Sequence, residues 1–382
     1  MTAPARSYLT RVTAAFPRRL DRTLVTCVAA LSVTGLVLVW AATSGSGDPA
    51  EATGFLERQV AHLIIGATVC LGVASVDYRL PRAYAPVLFV LAAVGLAMVL
   101  TPLGAVINGS RSWVVIGGFQ VQPGEVAKLA LILGVAMLLG EPRDGEFRPT
   151  GRDVLFSLAV LAVPLGLIMA QPDLGTGMVL GSVYLAMLAL SGAPARWIGG
   201  LMACGVAGVV AVWWFGLLKE YQLARFTSFI DPAADPQGTG YNANQAQIAV
   251  GSGGLSGSGL FQGEHTSGKF VPEQHTDFIF TVAGEELGFI GGTAILVLLG
   301  LVVWRVLRVA IGCEDPYGRL VCVGVATWMC FQTFINIGMT LGIMPITGLP
   351  LPFVSYGGTA TIANLTAIGL VLGINARERG YA

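Results

Sequence analysis

The sequence predicts an all-α polytopic membrane protein, with ten transmembrane helices and a large extracellular loop between the seventh and the eighth. Three observations lead there. Hydrophobic residues make up 54% of the 382 positions against 12% charged, and the mean hydropathy of +0.72 lies far above that of a soluble globule. Apolar runs long enough to cross roughly 30 Å of hydrocarbon recur along the chain. Basic residues are distributed unevenly between the two sides that those runs define.

The runs fall at 23–44, 58–77, 84–102, 124–140, 154–170, 175–192, 197–218, 277–304, 319–343 and 357–376. An even number puts both termini on one side. Starting in the cytoplasm, all but six of the 22 Lys and Arg lie inward; the six are Arg58, Arg111, Lys128, Lys219, Arg225 and Lys269. The positive-inside rule then fixes the orientation. Residues 1–22 form a cytoplasmic N-terminal segment, 23–378 a single transmembrane domain with 219–276 as its outer loop, and 379–382 a cytoplasmic tail. Arg6, Arg11, Arg18, Arg19 and Arg22 before the first run would also suit a signal peptide, but no small-residue cleavage pattern follows, so a retained first helix is expected.

Zero net charge gives no reason to expect a nucleic-acid partner. The six cysteines lie in or beside apolar runs without C-x-x-C spacing, which argues against a metal site or a disulfide frame.

The 219–276 loop is too long for a simple connector. Its Gly251-Ser-Gly-Gly-Leu-Ser-Gly-Ser-Gly259 stretch reads either as a flexible linker or as part of a folded cap, and its amides are candidates for cradling phosphate. The last outward loop, 344–358, has three prolines and cannot be regular helix. Irregular backbone at membrane depth survives where it is buried in protein or lines a cavity.

Ionisable groups inside spans are costly and mark partners or water-filled cavities. Glu125 and Lys128 stand three apart on one helix face, either as a self-neutralising pair or as a pair positioning a charged ligand. Arg58 heads the second span and either snorkels to the interface or meets an anion. Arg111 and Lys269 are in outward loops. Converging cations would suit a diphosphate, which Arg binds through paired hydrogen bonds.

Asp277 stands where Val271-Pro-Glu-Gln-His-Thr-Asp277 turns into an apolar segment, so it can meet both a lipid-anchored substrate and water. Two readings compete: a general base, or, with Thr276, a cap on the next helix. The base role requires burial to oppose the nearby cations and helix dipole. Glu285 and Glu286, just before Gly288, would be satisfied by freed backbone groups if the helix breaks there. His265 and His275 are read as loop hydrogen-bonders, and His62 as a satisfied residue of its span.

Val271–Phe280 with Gly284-Glu-Glu-Leu-Gly288, Gln171-Pro-Asp-Leu-Gly-Thr176, Gln122-Pro-Gly-Glu-Val-Ala-Lys128 and Gly348-Leu-Pro-Leu-Pro-Phe-Val-Ser-Tyr-Gly-Gly358 resemble, in order, the motifs of the SEDS family of cell-wall polymerases. The resemblance runs from about residue 22 to 378. Asn336–Thr347 and Val250-Gly-Ser-Gly-Gly-Leu-Ser-Gly look like the elongation branch, RodA, more than the division branch, FtsW. Two positions depart from the family pattern: Gly124 stands where Ser is common, and Ser112 rather than Arg precedes Trp113, with Arg111 one place earlier.

The resemblance implies a glycosyltransferase that polymerises peptidoglycan strands from lipid II in the plasma membrane. It makes Asp277 the catalytic base and suggests Arg58, Arg111, Glu125, Lys128, Lys269, His275 and Ser355 as substrate-binding residues, with Glu125 orienting Lys128. It implies no certain cofactor; a divalent cation, Mg2+ or Mn2+, is the candidate. The implied partners are a class B penicillin-binding protein, which would supply the transpeptidase this chain lacks, and the elongation machinery. A lipid flippase or transporter, and a scaffold without activity, are the rival classes.

Overall fold

The computed structural model describes residues 20–45, 49–107, 110–116, 119–141, 148–216, 223, 225, 227, 229 and 238–381. Arg6, Arg11, Arg18, Arg19, Arg143 and Lys219 lie outside the described residues. The elements run in the order α1 (Arg22–Ser44), α2 (Pro49–Ser75), α3 (Arg79–Val99), β1 (Gly104–Ile107), β2 (Ser110–Ile116), β3 (Phe119–Val121), α4 (Pro123–Leu139), α5 (Gly151–Ala170) and α6 (Leu174–Leu190). There follow α7 (Ala195–Trp214), α8 (Thr239–Ser252), α9 (Glu264–Ser267), α10 (Ile279–Glu286), α11 (Gly288–Gly312), α12 (Pro316–Thr340) and α13 (Gly358–Tyr381).

Among the described residues, eight helices are long and apolar enough to cross a membrane: α1, α2, α3, α5, α7, α11, α12 and α13. The segments expected as the fourth and sixth spans are the 17-residue helices α4 and α6. The protein is a multi-pass membrane protein. Its centre is α4, α12 and α13, which are buried along most of their length, whereas α7 is mostly exposed and packs on α6, with Trp197, Ile198 and Leu201 partly buried against the core.

The all-α expectation is corrected by β1–β3, a three-stranded antiparallel sheet in the loop between α3 and α4. Gly104 pairs with Val114 and Ala105 with Trp113, a bulge follows Ala105, and Val114 pairs with Val121. The β-branched run Val114-Val115-Ile116 favours extended backbone, and Val114 packs inward at 5% exposure while Val115 points out.

Two expected spans change shape. The second begins at Pro49, so Arg58 stands more than two turns inside α2 rather than at its head. The eighth is interrupted: α10 ends at Glu286, and Gly288, at φ +66°, opens α11. A residue with a side chain is disfavoured in that left-handed region, which is why glycine sits there.

The break is filled by the Gly/Ser stretch, which is folded. Ser258 and Gly259 N–H groups donate to the Glu285 and Glu286 carbonyls, while Phe289 and Ile290 donate to Gly254 and Leu255. The Glu285 carboxylate accepts from His265 N, Thr266 N and Thr266 Oγ1 at 2.6–2.8 Å, and Glu286 accepts from Phe261 N at 3.0 Å. The linker reading is thus overturned. The Ser258 and Gly259 amides serve the fold and not a phosphate.

Candidate functional site

Asp277 is placed by a tight turn. Glu273, at φ +54°, offers its carbonyl to the amides of Thr276, Asp277 and Phe278, and Thr276 Oγ1 returns to Glu273 at 3.1–3.2 Å. Helix α10 starts only at Ile279, and its N-cap position, Phe278, makes no side-chain capping bond. Neither Thr276 nor Asp277 caps it, so the competing structural reading of Asp277 fails. The residue is half-buried, and its Oδ2 faces Gly348. Burial pushes its carboxyl up to about 7, Glu273 and Asp173 push the same way, and Arg225 opposes them.

The four sequence motifs meet around this carboxyl. Asp173 caps α6 through Thr176, accepting from its N–H at 3.0 Å and its hydroxyl at 2.8 Å. Gly124 faces Thr176; a Cβ there would sit 3.5 Å from Thr176 Cγ2, an ordinary contact that leaves room for the serine common in the resembled family. Gly175 approaches Leu349, which belongs to the irregular 341–357 segment. That segment is buried at Leu349, Leu351, Phe353, Val354 and Ser355, as its composition required.

Beneath Asp277, Lys128 Nζ donates to Glu125 Oε1 at 2.7 Å and to Gln332 Oε1 at 2.9 Å, and lies 4.7 Å from the centre of the Trp328 ring. The Lys128 side chain has no exposed area and Glu125 has 1%. Glu125 Oε2 has no hydrogen-bond partner among the described residues. The pair forms, and it is sealed from solvent.

His275 and Arg58 lie together on another side. The His275 ring meets Phe55 at 4.8 Å and Tyr356 at 5.6 Å, its carbonyl accepts from Tyr356 N at 3.0 Å, and Arg58 stacks over Phe55 at 5.4 Å and hydrogen-bonds the Tyr356 hydroxyl. Next to Arg58, Gln59 ties α2 to the Ser355 carbonyl and the Gly357 amide. Ser355 Oγ accepts from Leu351 N at 2.7 Å, which makes it a brace of the loop. Arg111 stands exposed on β2, and Lys269 is exposed at φ +51° beside α9. Among the described residues, no hydrogen bond or ion pair joins the Asp277 carboxylate to Arg58, Arg111 or Lys128. Of the three cations, Lys128 is enclosed with Glu125 and Gln332, whereas Arg111 is exposed. His62, read as satisfied, leaves Nδ1 buried without a hydrogen-bond partner among the described residues, and so does His265, read as a loop hydrogen-bonder, whose Nδ1 lies 3.4 Å from Glu285 within the short helix α9.

Sequence reasoning passed over Arg225, Asp173, Gln332 and Asn336 as site residues. Arg225 had been flagged as a cation on the outer side; the structure adds a cleft between it, Gln247 of α8, Gly342 and Met344–Ile346, on the approach to Gly348. Asn336 Nδ2 donates to the carbonyls of Asp277 and Leu349, both at 2.7 Å. Among the described residues there is no group of three or more His, Cys, Asp or Glu that could hold a metal ion.

Comparison with known proteins agrees with this geometry. The family model described as cell cycle protein (FtsW, RodA, SpoVE) matches residues 21–380. Stage V sporulation protein E of Bacillus subtilis is 38% identical over 94% of this chain and 98% of its own length. The peptidoglycan glycosyltransferase MrdB of Escherichia coli K12 is 35% identical over 94% of each chain. Among solved structures, a chain from a peptidoglycan synthase complex that coordinates polymerization and crosslinking matches with TM-score 0.79 and 33% identity over 94% of this chain and 98% of that one. The rod shape determining protein RodA of Thermus thermophilus matches with TM-score 0.67 and 31% identity over 93% and 96%. With agreement of this extent in both sequence and fold, the chain belongs to the FtsW/RodA/SpoVE family.

Proposed function

We propose that this protein is a peptidoglycan glycosyltransferase that joins lipid II units into glycan strands, with Asp277 as its general base. The observation that carries the reading is a half-buried carboxyl held near neutrality, at about 7, where the outer loop enters the membrane domain. A base is most effective when its pKa lies near the working pH. The names of the relatives, peptidoglycan glycosyltransferases among them, support the same reaction.

In the proposed step, Asp277 takes the proton of the acceptor sugar hydroxyl as that oxygen bonds to the anomeric carbon of the donor. The donor's bond to undecaprenyl diphosphate breaks, and the diphosphate leaves with the electron pair. One carboxylate suffices because a diphosphate departs without protonation, unlike the alkoxide that glycosidases must protonate with a second acid. Arg58, with His275 beside it, and the exposed Arg111 and Lys269 provide positive or polar contacts for the anionic substrate. Ser355 shapes the loop, and Glu125 with Lys128 fixes the floor from inside. A divalent cation, Mg2+ or Mn2+, would add to the stabilisation of the negative charge developing on the diphosphate.

The proposed topology has ten crossings, α4 and α6 included, with both termini in the cytoplasm, 23–378 as one domain and 219–276 as the outer loop. A class B penicillin-binding protein is the proposed partner, and the solved synthase complex supports that pairing. The elongation role rests on the resemblance of Asn336–Thr347 to RodA; rod-shape rescue in a strain lacking its own elongation polymerase tests it against division. Polymerisation of lipid II by the purified protein with its partner tests the chemistry. Product should be lost in Asp277→Asn, and product that persists removes Asp277 as the base.

A further inference from the structure

Helix α12 presents two amides one turn apart, Gln332 and Asn336, both fully buried. Asn336 spends both of its N–H groups on carbonyl oxygens, that of Asp277 itself and that of Leu349. Gln332 Nε2 donates to the next carbonyl, Pro350, at 2.7 Å, while its Oε1 accepts from Lys128 Nζ and from Trp328 Nε1. The two side chains thus grip consecutive carbonyls of the loop whose Gly348 abuts the Asp277 carboxylate, and they grip the Asp277 backbone as well. Resting on the assignment of Asp277 as the base, we propose that Asn336 and Gln332 are positioning residues: a clamp that fixes the Asp277 carboxyl against Gly348 and anchors that arrangement to the Glu125–Lys128 pair.

The residue types fit the task. Three carbonyl oxygens converge on α12, and a neutral amide supplies donors to them without adding a charge that would act on Asp277. The anchor is stiff because Lys128 and Trp328 saturate the Gln332 oxygen in a buried site, where an unmade hydrogen bond is expensive. Reacting groups must be held to within a fraction of an ångström, so a clamp acts on the chemical step more than on substrate capture.

The test uses the full-length protein with its partner, measuring lipid II polymerisation, melting temperature and pH dependence. Asn336→Ala removes both donors; Asn336→Ser offers a single hydroxyl donor of shorter reach; Gln332→Glu releases Pro350 while still accepting from Lys128 and Trp328, and its new charge faces Lys128. The expected result is a roughly 10- to 100-fold fall in kcat for Asn336→Ala with KM within about twofold. Asn336→Ser should recover part of it, and Gln332→Glu should show a smaller fall of the same kind. The acid limb of the kcat profile should also move down in Asn336→Ala, because a released Asp277 gains water while Glu273, Asp173 and Arg225 around it are unchanged.

If Asn336→Ala does not fold, the Asn336→Ser and Gln332→Glu proteins decide. Folded variants with unchanged kcat, a loss confined to KM, or an unmoved acid limb would overturn the clamp. Activity that survives in Asp277→Asn would instead overturn the base assignment on which it rests, and that variant is measured separately.

Discussion

Gly348 stands so close to Asp277 that a Cβ added to it would lie 3.2 Å from Asp277 Oδ2. Its φ of +76° is also one that side chains rarely adopt. Gly348→Ala is therefore expected to strain the loop by about 1–2 kcal/mol and to push the carboxyl out of place. Lipid II turnover should fall well beyond the drop in folded protein, as read by paired activity and melting measurements.

Because the Asp277 carboxyl is pushed up to about 7, activity should rise with pH through about 7 and level off above it. Arg225 opposes that rise and Glu273 adds to it, so Arg225→Met should carry the acid limb upward and Glu273→Gln downward. A pH profile of kcat for the three proteins checks both directions.

The same raised value has a cost in stability. The folded protein keeps a proton on Asp277 where the unfolded chain, at about 3.9, releases it; the folded state is therefore penalised progressively as pH rises from about 4 and fully so above about 7. Asp277→Asn removes the penalty. It should melt higher than wild type at about pH 8, with the difference closing toward about pH 4.

Lys128→Met leaves the Glu125 carboxylate alone in the core, where breaking a buried pair costs about 3–5 kcal/mol. The double variant Glu125→Gln with Lys128→Met should recover much of that stability, as thermal melting in detergent would show. Additive losses would mean that the two groups do not act as a pair.

Glu285→Gln weakens the acceptor that holds His265 N, Thr266 N and the Thr266 hydroxyl, with an expected loss of about 1–3 kcal/mol local to the cap. Limited proteolysis should then cut the 251–270 segment sooner while the spans stay intact.

Much of this was legible in the residues. Apolar runs located the eight long apolar helices, because burial in hydrocarbon demands them, and the Pro-rich 344–358 stretch announced irregular backbone. The Glu125 and Lys128 spacing foretold their contact. The sheet was missed because weight was given to apolar length; Asn108-Gly109 between two β-branched runs is a hairpin signal that went unread. Asn336 and Gln332 were not legible as site residues, since a lone amide in an apolar helix says nothing of which distant carbonyls it will meet. Arg225 was visible as an outward charge, but its proximity to Asp277 arises only from folding the loop.

The interruption between Glu286 and Gly288 makes the Gly/Ser stretch a structural member of the helical body. Ser258 and Gly259 complete the hydrogen bonding of a severed helix, so a force applied to the loop is delivered to α10 and, two residues before its first residue, to the Asp277 carboxylate. A protein gripping that loop would have mechanical leverage on Asp277 without ever touching it.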